Sequence, residues 1–165
     1  MLSVLPSLLV LGLAALAALQ LALRRRSPPE NVAERLAAAR ALALAVGIQG
    51  VHFAEETVTG FHERLGTLVG LPGILLATFV GFNLMWLGIW VASVPGLRSA
   101  GSPAFFAAWF LAIAGTLNGI AHPLLAVAEG GSFPGLVTSP FIGVAAAWLW
   151  RRLLEATRPG GPNPS

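Results

Sequence analysis

Five long apolar segments constrain the fold more than any other feature of the sequence. They cover residues 2–23, 33–59, 72–94, 103–128 and 134–154. A helix needs roughly 20 apolar residues to cross the hydrocarbon core of a bilayer. Charged residues make up only 10% of the chain, against about 25% in an ordinary soluble domain. The sequence therefore predicts an all-α fold, a polytopic membrane bundle of five transmembrane helices.

The arginines predict how this bundle is oriented. If the N-terminus lies outside and the C-terminus is cytoplasmic, nine of the ten arginines fall in or beside cytoplasmic segments, and only Arg64 falls outside. Basic residues concentrate on the cytoplasmic side of membrane proteins. We therefore expect a multi-pass protein of the cell (inner) membrane, with the lipid bilayer as its partner. The net charge of +3 is spread over separate clusters, so no nucleic-acid surface is expected; the oligomeric state stays open.

The chain divides into three parts. Residues 1–26 are predicted to form an N-terminal transmembrane anchor helix, because three arginines follow the apolar stretch and no basic residue precedes it. Residues 33–154 are predicted to be a four-helix membrane core, with a loop at 60–71, Pro72 in the first turn of the third span, and a short loop at 95–102. Residues 155–165, rich in Pro and Gly, are predicted to be a disordered tail.

The second and fourth spans each carry a polar motif inside the apolar pattern. At 100° per residue, His52, Glu55 and Glu56 occupy one helix face. Asn118 and His122, four residues apart, also share a face. Both histidines fall roughly 10 Å below the outer end of their span, at about 1.5 Å per residue. The two faces are therefore expected to meet in the outer half of the membrane.

Two further considerations indicate that these residues face a protein-lined cavity. A charged side chain near the centre of a membrane helix costs roughly 2.5–3.5 kcal/mol on insertion scales. Pro123 directly follows His122, and a proline within a helix removes a backbone hydrogen bond. Such a break persists in a membrane where protein buries it or where it lines a cavity.

The residue types at these positions predict a metal site. His52, His122 and Glu56 are the expected ligands of one divalent metal, either Zn or Fe, because two His and one carboxylate serve both metals. Glu55 and Glu56 are the candidate catalytic carboxylates, one of which would be the base that activates a metal-bound water. Asn118 is expected to orient a ligand. The chain has no cysteine, which excludes thiolate ligands.

Three segments resemble the HXXEE-domain family of integral membrane proteins. They are HFAEE at 52–56, NGIAH at 118–122 and PGLVT at 134–138. The resemblance covers most of the chain and implies no established activity. In the family pattern a tyrosine shortly precedes the Pro-Gly pair, whereas this chain has Ser132 and Phe133 there and no tyrosine anywhere. A phenol hydroxyl is therefore excluded from its chemistry.

The residues leave more than one function open. The leading hypothesis is an intramembrane enzyme acting on a lipidic or isoprenoid-like small molecule. It would be a metal-dependent hydrolase or oxidase, or a metal-free isomerase in which a glutamate donates a proton and a histidine relays it. The alternatives are a proton- or cation-coupled carrier and a structural membrane protein with a buried polar network.

Overall fold

The regular structure of the described residues is entirely helical. The computed structural model describes residues 5–68 and 70–159, with side chains from residue 9 onward. This part of the chain forms six helices: α1 Leu5–Arg24, α2 Val32–Val58, α3 Phe61–Thr67, α4 Leu76–Arg98, α5 Ser102–Ala128 and α6 Ser139–Ala156. The prediction of an all-α fold is therefore confirmed.

Three of these helices are long and apolar enough to cross a membrane, namely α2, α4 and α5. The described apolar part of α1, Leu9–Arg24, is shorter. Helix α6 has 18 residues and carries Arg151, Arg152 and Glu155 near its end. The structure thus shows a chain with at least three helices of membrane-spanning character.

Helices α2, α6, α5 and α4 pack in a ring, and α1 packs against the outside of α5. Large side chains such as Leu42, Trp109 and Leu149 are fully buried between them. Helices α5 and α6 approach most closely at two glycines, because a Cβ on Gly119 would lie 2.5 Å from the Cα of Gly143. The glycine of the NGIAH segment therefore allows α6 to lie directly against the helix that carries His122.

One end of the bundle is held together by polar contacts to backbone carbonyls. The buried guanidinium of Arg35 donates to the carbonyls of Pro28, Pro29 and Arg98. Arg25 Nε donates to Thr157 Oγ1 at 3.1 Å. These contacts join the end of α1, the start of α2 and the ends of α4 and α6, the segments in which most of the arginines lie.

The structure corrects the predicted boundaries around α3 and α4. The predicted loop at 60–71 contains helix α3, and α4 begins at Leu76. The preceding residues are bonded to α3 instead, since Ile74 N donates to the carbonyl of His62. Pro72 is therefore outside α4, and Pro95, predicted to begin a loop, lies inside it. Helix α5 continues through Pro123.

The last helix also differs from its prediction. It begins at Ser139, so residues 134–138 form a turn before it. It extends to Ala156, and Thr157 after it is buried and donates to the carbonyl of Leu153. The first residues of the predicted tail are therefore packed against the bundle. Residues 160–165 of that tail and residues 1–4 of the predicted anchor lie outside the described residues.

Candidate metal centre

Three buried side chains from two helices converge on one point near the end of the bundle opposite Arg35. Glu56 Oε1 lies 3.4 Å from His52 Nε2 and 3.3 Å from His122 Nε2. His52 is one turn before Glu56 on α2, whereas His122 comes from α5 on the opposite side of the ring. One ligand atom from each residue lies within 4.8 Å of the other two. The sequence-predicted ligand set is thus brought together.

The tautomer of His122 is fixed by a backbone carbonyl. His122 Nδ1 lies 2.6 Å from the carbonyl oxygen of Pro134. A carbonyl oxygen can only accept a hydrogen bond, so Nδ1 carries the proton and donates it. In the neutral ring, Nε2 then presents a lone pair to Glu56.

The tautomer of His52 is fixed through a threonine and a second carboxylate. His52 Nδ1 lies 2.8 Å from Thr138 Oγ1. The Thr138 hydroxyl donates to Glu55 Oε2, and the two Glu55 oxygens also accept the backbone N–H groups of Val137 and Thr138. Because the single hydroxyl proton of Thr138 points to Glu55, His52 Nδ1 must be the donor to Thr138. In the neutral ring, His52 Nε2 then also presents a lone pair toward Glu56.

Two imidazole lone pairs and a carboxylate oxygen thus face one another in a buried site. His52 Nε2 has no hydrogen-bond partner among the described residues. Three acceptors at this distance repel unless a cation or a proton lies between them. Ligands at about 2.0–2.1 Å from a tetrahedral Zn are about 3.3–3.4 Å apart, which matches the separations of Glu56 Oε1 from the two Nε2 atoms. Octahedral ligands at such a distance would be about 2.9 Å apart. The three residues could hold one divalent metal ion.

The two adjacent glutamates have different surroundings. Glu56 points into the cluster, whereas Glu55 holds the turn at 137–138 and reaches His52 only through the Thr138 hydroxyl. Glu55 is predicted from the sequence as a candidate catalytic carboxylate, and the structure places it behind a ligand. Asn118, predicted to orient a ligand, lies on α5 one turn before His122 and makes no side-chain hydrogen bond within the described chain.

The segment 133–138 supplies contacts that the sequence prediction does not assign. Thr138 and the carbonyl of Pro134 orient the two histidines. Gly135 has φ +80, and a Cβ there would lie 2.6 Å from His122 Cε1 and 3.0 Å from His52 Cε1. The PGLVT motif is the one sequence feature that marks this segment. It does not reveal that the segment contacts the two histidines, because that contact depends on how α6 packs.

A cleft of about 440 Å³ adjoins the cluster on one side. We call it the lateral cleft; it lies between α1, α2, α3, α4 and α5, and Glu56 and His122 form part of its wall. Its wall also includes Val10 and Phe82, which are exposed on the surface of the bundle. On the outer side, the ring of buried Phe133 packs 5.7 Å from that of His122. The open side of the cluster is therefore the lateral cleft.

Comparisons with known proteins do not add to this assignment. The chain matches no protein-family model, no curated protein and no solved structure. What the site can do is therefore argued from its own geometry and chemistry.

Proposed function

We propose that the protein is a membrane-embedded metalloenzyme of five spans that hydrolyses a lipidic substrate. One divalent metal, with Zn as the best fit, is held by His52, Glu56 and His122. The observation that carries this proposal is the orientation of the two imidazoles, because each Nδ1 donates to an oxygen and each Nε2 faces Glu56. Hydrogen bonds from the outer nitrogen of a ligating histidine to an oxygen are typical of metal sites in proteins.

Three protein ligands leave a fourth tetrahedral position, which is the arrangement of catalytic zinc sites. Glu56 and His122 line the lateral cleft, so a metal held by these residues would be reached by substrate from the cleft. A divalent metal there lowers the pKa of a bound water toward neutrality and makes it a nucleophile. Glu56 would hold the metal together with the two histidines, and the second oxygen of its carboxylate would be free to accept a proton from water.

The contacts at the two ends of the bundle support five spans with the N-terminus outside. The end of α1, the start of α2 and the ends of α4 and α6 meet around Arg35. The metal centre and the Arg64–Glu129 ion pair lie at the opposite end. An arrangement with Arg35 on the cytoplasmic side places nine arginines there, as the positive-inside rule expects.

A carrier is disfavoured by the packing below the site. A carrier needs polar groups along a path to both membrane faces. Below Gln49, α2 instead presents the fully buried apolar residues Ala38, Leu42 and Ala45, which belong to one apolar core with Trp109 and Leu149. In the described residues, the polar groups of the cluster therefore continue toward the lateral cleft rather than along the bundle axis.

We also propose that the chain belongs to the HXXEE-domain family. All three motifs of the resemblance contribute to the same cluster, which supports this proposal. HFAEE supplies His52 and Glu56, NGIAH supplies His122, and PGLVT supplies Thr138 and the carbonyl of Pro134. The motifs would then define one metal centre rather than three separate features.

The proposal is tested by metal analysis of purified protein in detergent. We expect about one equivalent of tightly bound Zn per chain, and less than about one tenth in His122→Ala and Glu56→Gln, because each removes one of three ligands. His62→Ala is the matched control, since His62 lies on α3 and outside the three-ligand set. Wild-type protein that takes up no divalent metal would refute the metalloenzyme and favour acid–base chemistry at the same residues.

A further inference from the structure

The lateral cleft holds a buried amide side chain that the metal centre does not use. Gln49 is 6% exposed and makes no hydrogen bond with any described residue. It lies on the same face of α2 as His52 and Glu56, three and seven residues before them. The amide is not one of the fully enclosed polar atoms that lack a partner, so it is accessible from the cleft and can bond a polar group that enters it.

Asn118 presents a second amide to the same cleft. Each amide lies about one helical turn before a histidine: Asn118 is four residues before His122 on α5, and Gln49 is three residues before His52 on α2. Both helices run toward the outer end, so each amide lies roughly 5 Å deeper than the histidine on its own helix, at about 1.5 Å per residue. Asn83 also lines the cleft, but its amide donates to the carbonyl of Phe79.

This offset matches the geometry of attack on a carbonyl group. A metal-bound water lies about 2 Å from the metal, and reacting atoms approach to roughly 3–3.5 Å before a bond forms. The carbonyl carbon attacked by this water therefore lies about 5 Å from the metal. Amide N–H groups at that depth would donate to the carbonyl oxygen, where negative charge develops during the reaction.

The remaining wall of the cleft indicates what the rest of the bound ligand, apart from its carbonyl group, is like. Apolar side chains dominate this wall, both aliphatic and aromatic, and the aromatic ones include Phe79, Phe82, Trp86, Trp90 and Phe110. Glu56 is the one charged residue among the described lining. Without an arginine in this lining, an anionic headgroup has no partner. A volume of about 440 Å³ is at the small end of ligand sites, roughly 300–1,000 Å³, which favours one hydrocarbon chain over two.

We propose that the lateral cleft binds a neutral, single-chain acyl ester lipid and that Gln49 and Asn118 donate hydrogen bonds to its carbonyl oxygen. This inference rests on the proposed metal-dependent hydrolysis and names its substrate class. The oxygen of water adds to the carbonyl carbon and the ester C–O bond breaks. One proton goes to the leaving alcohol, and the other is released as the acyl product leaves as a carboxylate.

The test compares two lipids that differ at the carbonyl. N-palmitoylserinol and 2-O-hexadecylglycerol share a sixteen-carbon chain and two hydroxyls, but only the first has a carbonyl, and its amide resists hydrolysis. Purified protein is mixed with equal amounts of both, and the bound ratio is read by native mass spectrometry. We expect wild type to prefer the carbonyl lipid by about three- to tenfold, the value of one or two hydrogen bonds.

The preference should fall to about one in Gln49→Leu and in Asn118→Leu, with the metal content unchanged. Gln20→Leu, an exposed amide on α1, should keep the wild-type ratio. A wild-type ratio near one, or a ratio that persists in both cleft variants, would overturn the carbonyl site even if metal is bound. Conversely, a preference that depends on Gln49 in a protein without metal would retain the lipid site and refute the metalloenzyme.

Discussion

At the scale of single residues, the two histidines of the cluster are oriented by different kinds of acceptor. His122 is held by the carbonyl of Pro134, which is fixed by the backbone. His52 is held by a hydroxyl, which is itself held by the Glu55 carboxylate. The hydrogen bond to His52 can be removed by changing the Thr138 side chain alone. Such a variant would measure how much the orientation of His52 contributes to metal affinity.

Thr138→Val should lower the affinity for Zn by about 10- to 100-fold, the usual effect of removing a partner of a ligating histidine. Valine has nearly the same shape as threonine but cannot accept from His52 or donate to Glu55. Affinity would be measured by competition with a chromophoric chelator. Thr138→Ser should restore most of the affinity, and Thr57→Val should have no effect, since Thr57 bonds only to the carbonyl of Phe53. Equal affinities for Thr138→Val and wild type would mean that the threonine has no part in the site.

The sequence is sufficient to predict that His52, His122 and the adjacent glutamate pair share one depth, because helical spacing and depth in the membrane are local properties. It does not distinguish Glu55 from Glu56, because adjacent residues on a helix differ in direction by about 100° and either could face inward. Thr138 is beyond sequence reasoning for another reason. Its contact with His52 spans 86 residues and depends on how the turn before α6 lies over the site.

At the scale of elements, the segment 133–138 is the last part of the connection from α5 to α6 and lies over the two histidines of the cluster. Gly135 permits this because its φ is +80 and its missing side chain leaves room for both imidazoles. Gly130, earlier in the same connection, has a similar φ of +89, but a Cβ there would have no atom within 4 Å. Alanine at either position would strain the backbone, but only alanine at 135 would also contact the histidines. Comparing the two substitutions therefore distinguishes these two effects.

Gly135→Ala should lower both the metal affinity and the thermal unfolding temperature. Gly130→Ala should lower only the stability, by about 1–2 kcal/mol for alanine at positive φ. The alanine at 135 adds a clash with His122 Cε1 that the one at 130 lacks. Metal competition and thermal unfolding in detergent would be measured for both variants. Equal metal affinity in the two would show that the turn does not position the histidines.

The predicted boundaries around α3 and α4 are wrong where backbone N–H groups donate to carbonyls of a neighbouring segment instead of to their own helix. Helix α3 falls in a predicted loop because its seven residues, FHERLGT, are too few for a periodic pattern. The sequence favours Pro72 as the start of α4 because proline suits a first turn. In the structure Leu71 N and Ile74 N instead donate to the carbonyls of Gly66 and His62, which delays the helix to Leu76.

At the scale of the whole molecule, the apolar pattern predicts the helices, while the arginines predict only their orientation. Three helices have the length and apolar character of membrane spans. The contacts around Arg35 join the same ends that arginine placement assigns to the cytoplasm. Residues that are distant in sequence thus support one arrangement of the bundle.

Single cysteines would test this orientation, since the chain has none of its own. Ser132 and Ser99 are both exposed and lie in connections at opposite ends of the bundle. A membrane-impermeant maleimide should label Ser132→Cys in intact cells, and Ser99→Cys only after permeabilisation. The reverse pattern would invert the topology, and labelling of both in intact cells would exclude an odd number of spans between them.

The central claim is that His52, Glu56 and His122 hold one metal ion, and anomalous X-ray diffraction from Zn-loaded crystals tests it most directly. Data collected above and below the Zn absorption edge locate the ion without reference to the protein atoms. We expect one peak per chain, about 2.0–2.2 Å from both Nε2 atoms and from Glu56 Oε1. A structure at good resolution with no peak there, or with the two imidazoles turned away from Glu56, would contradict the account.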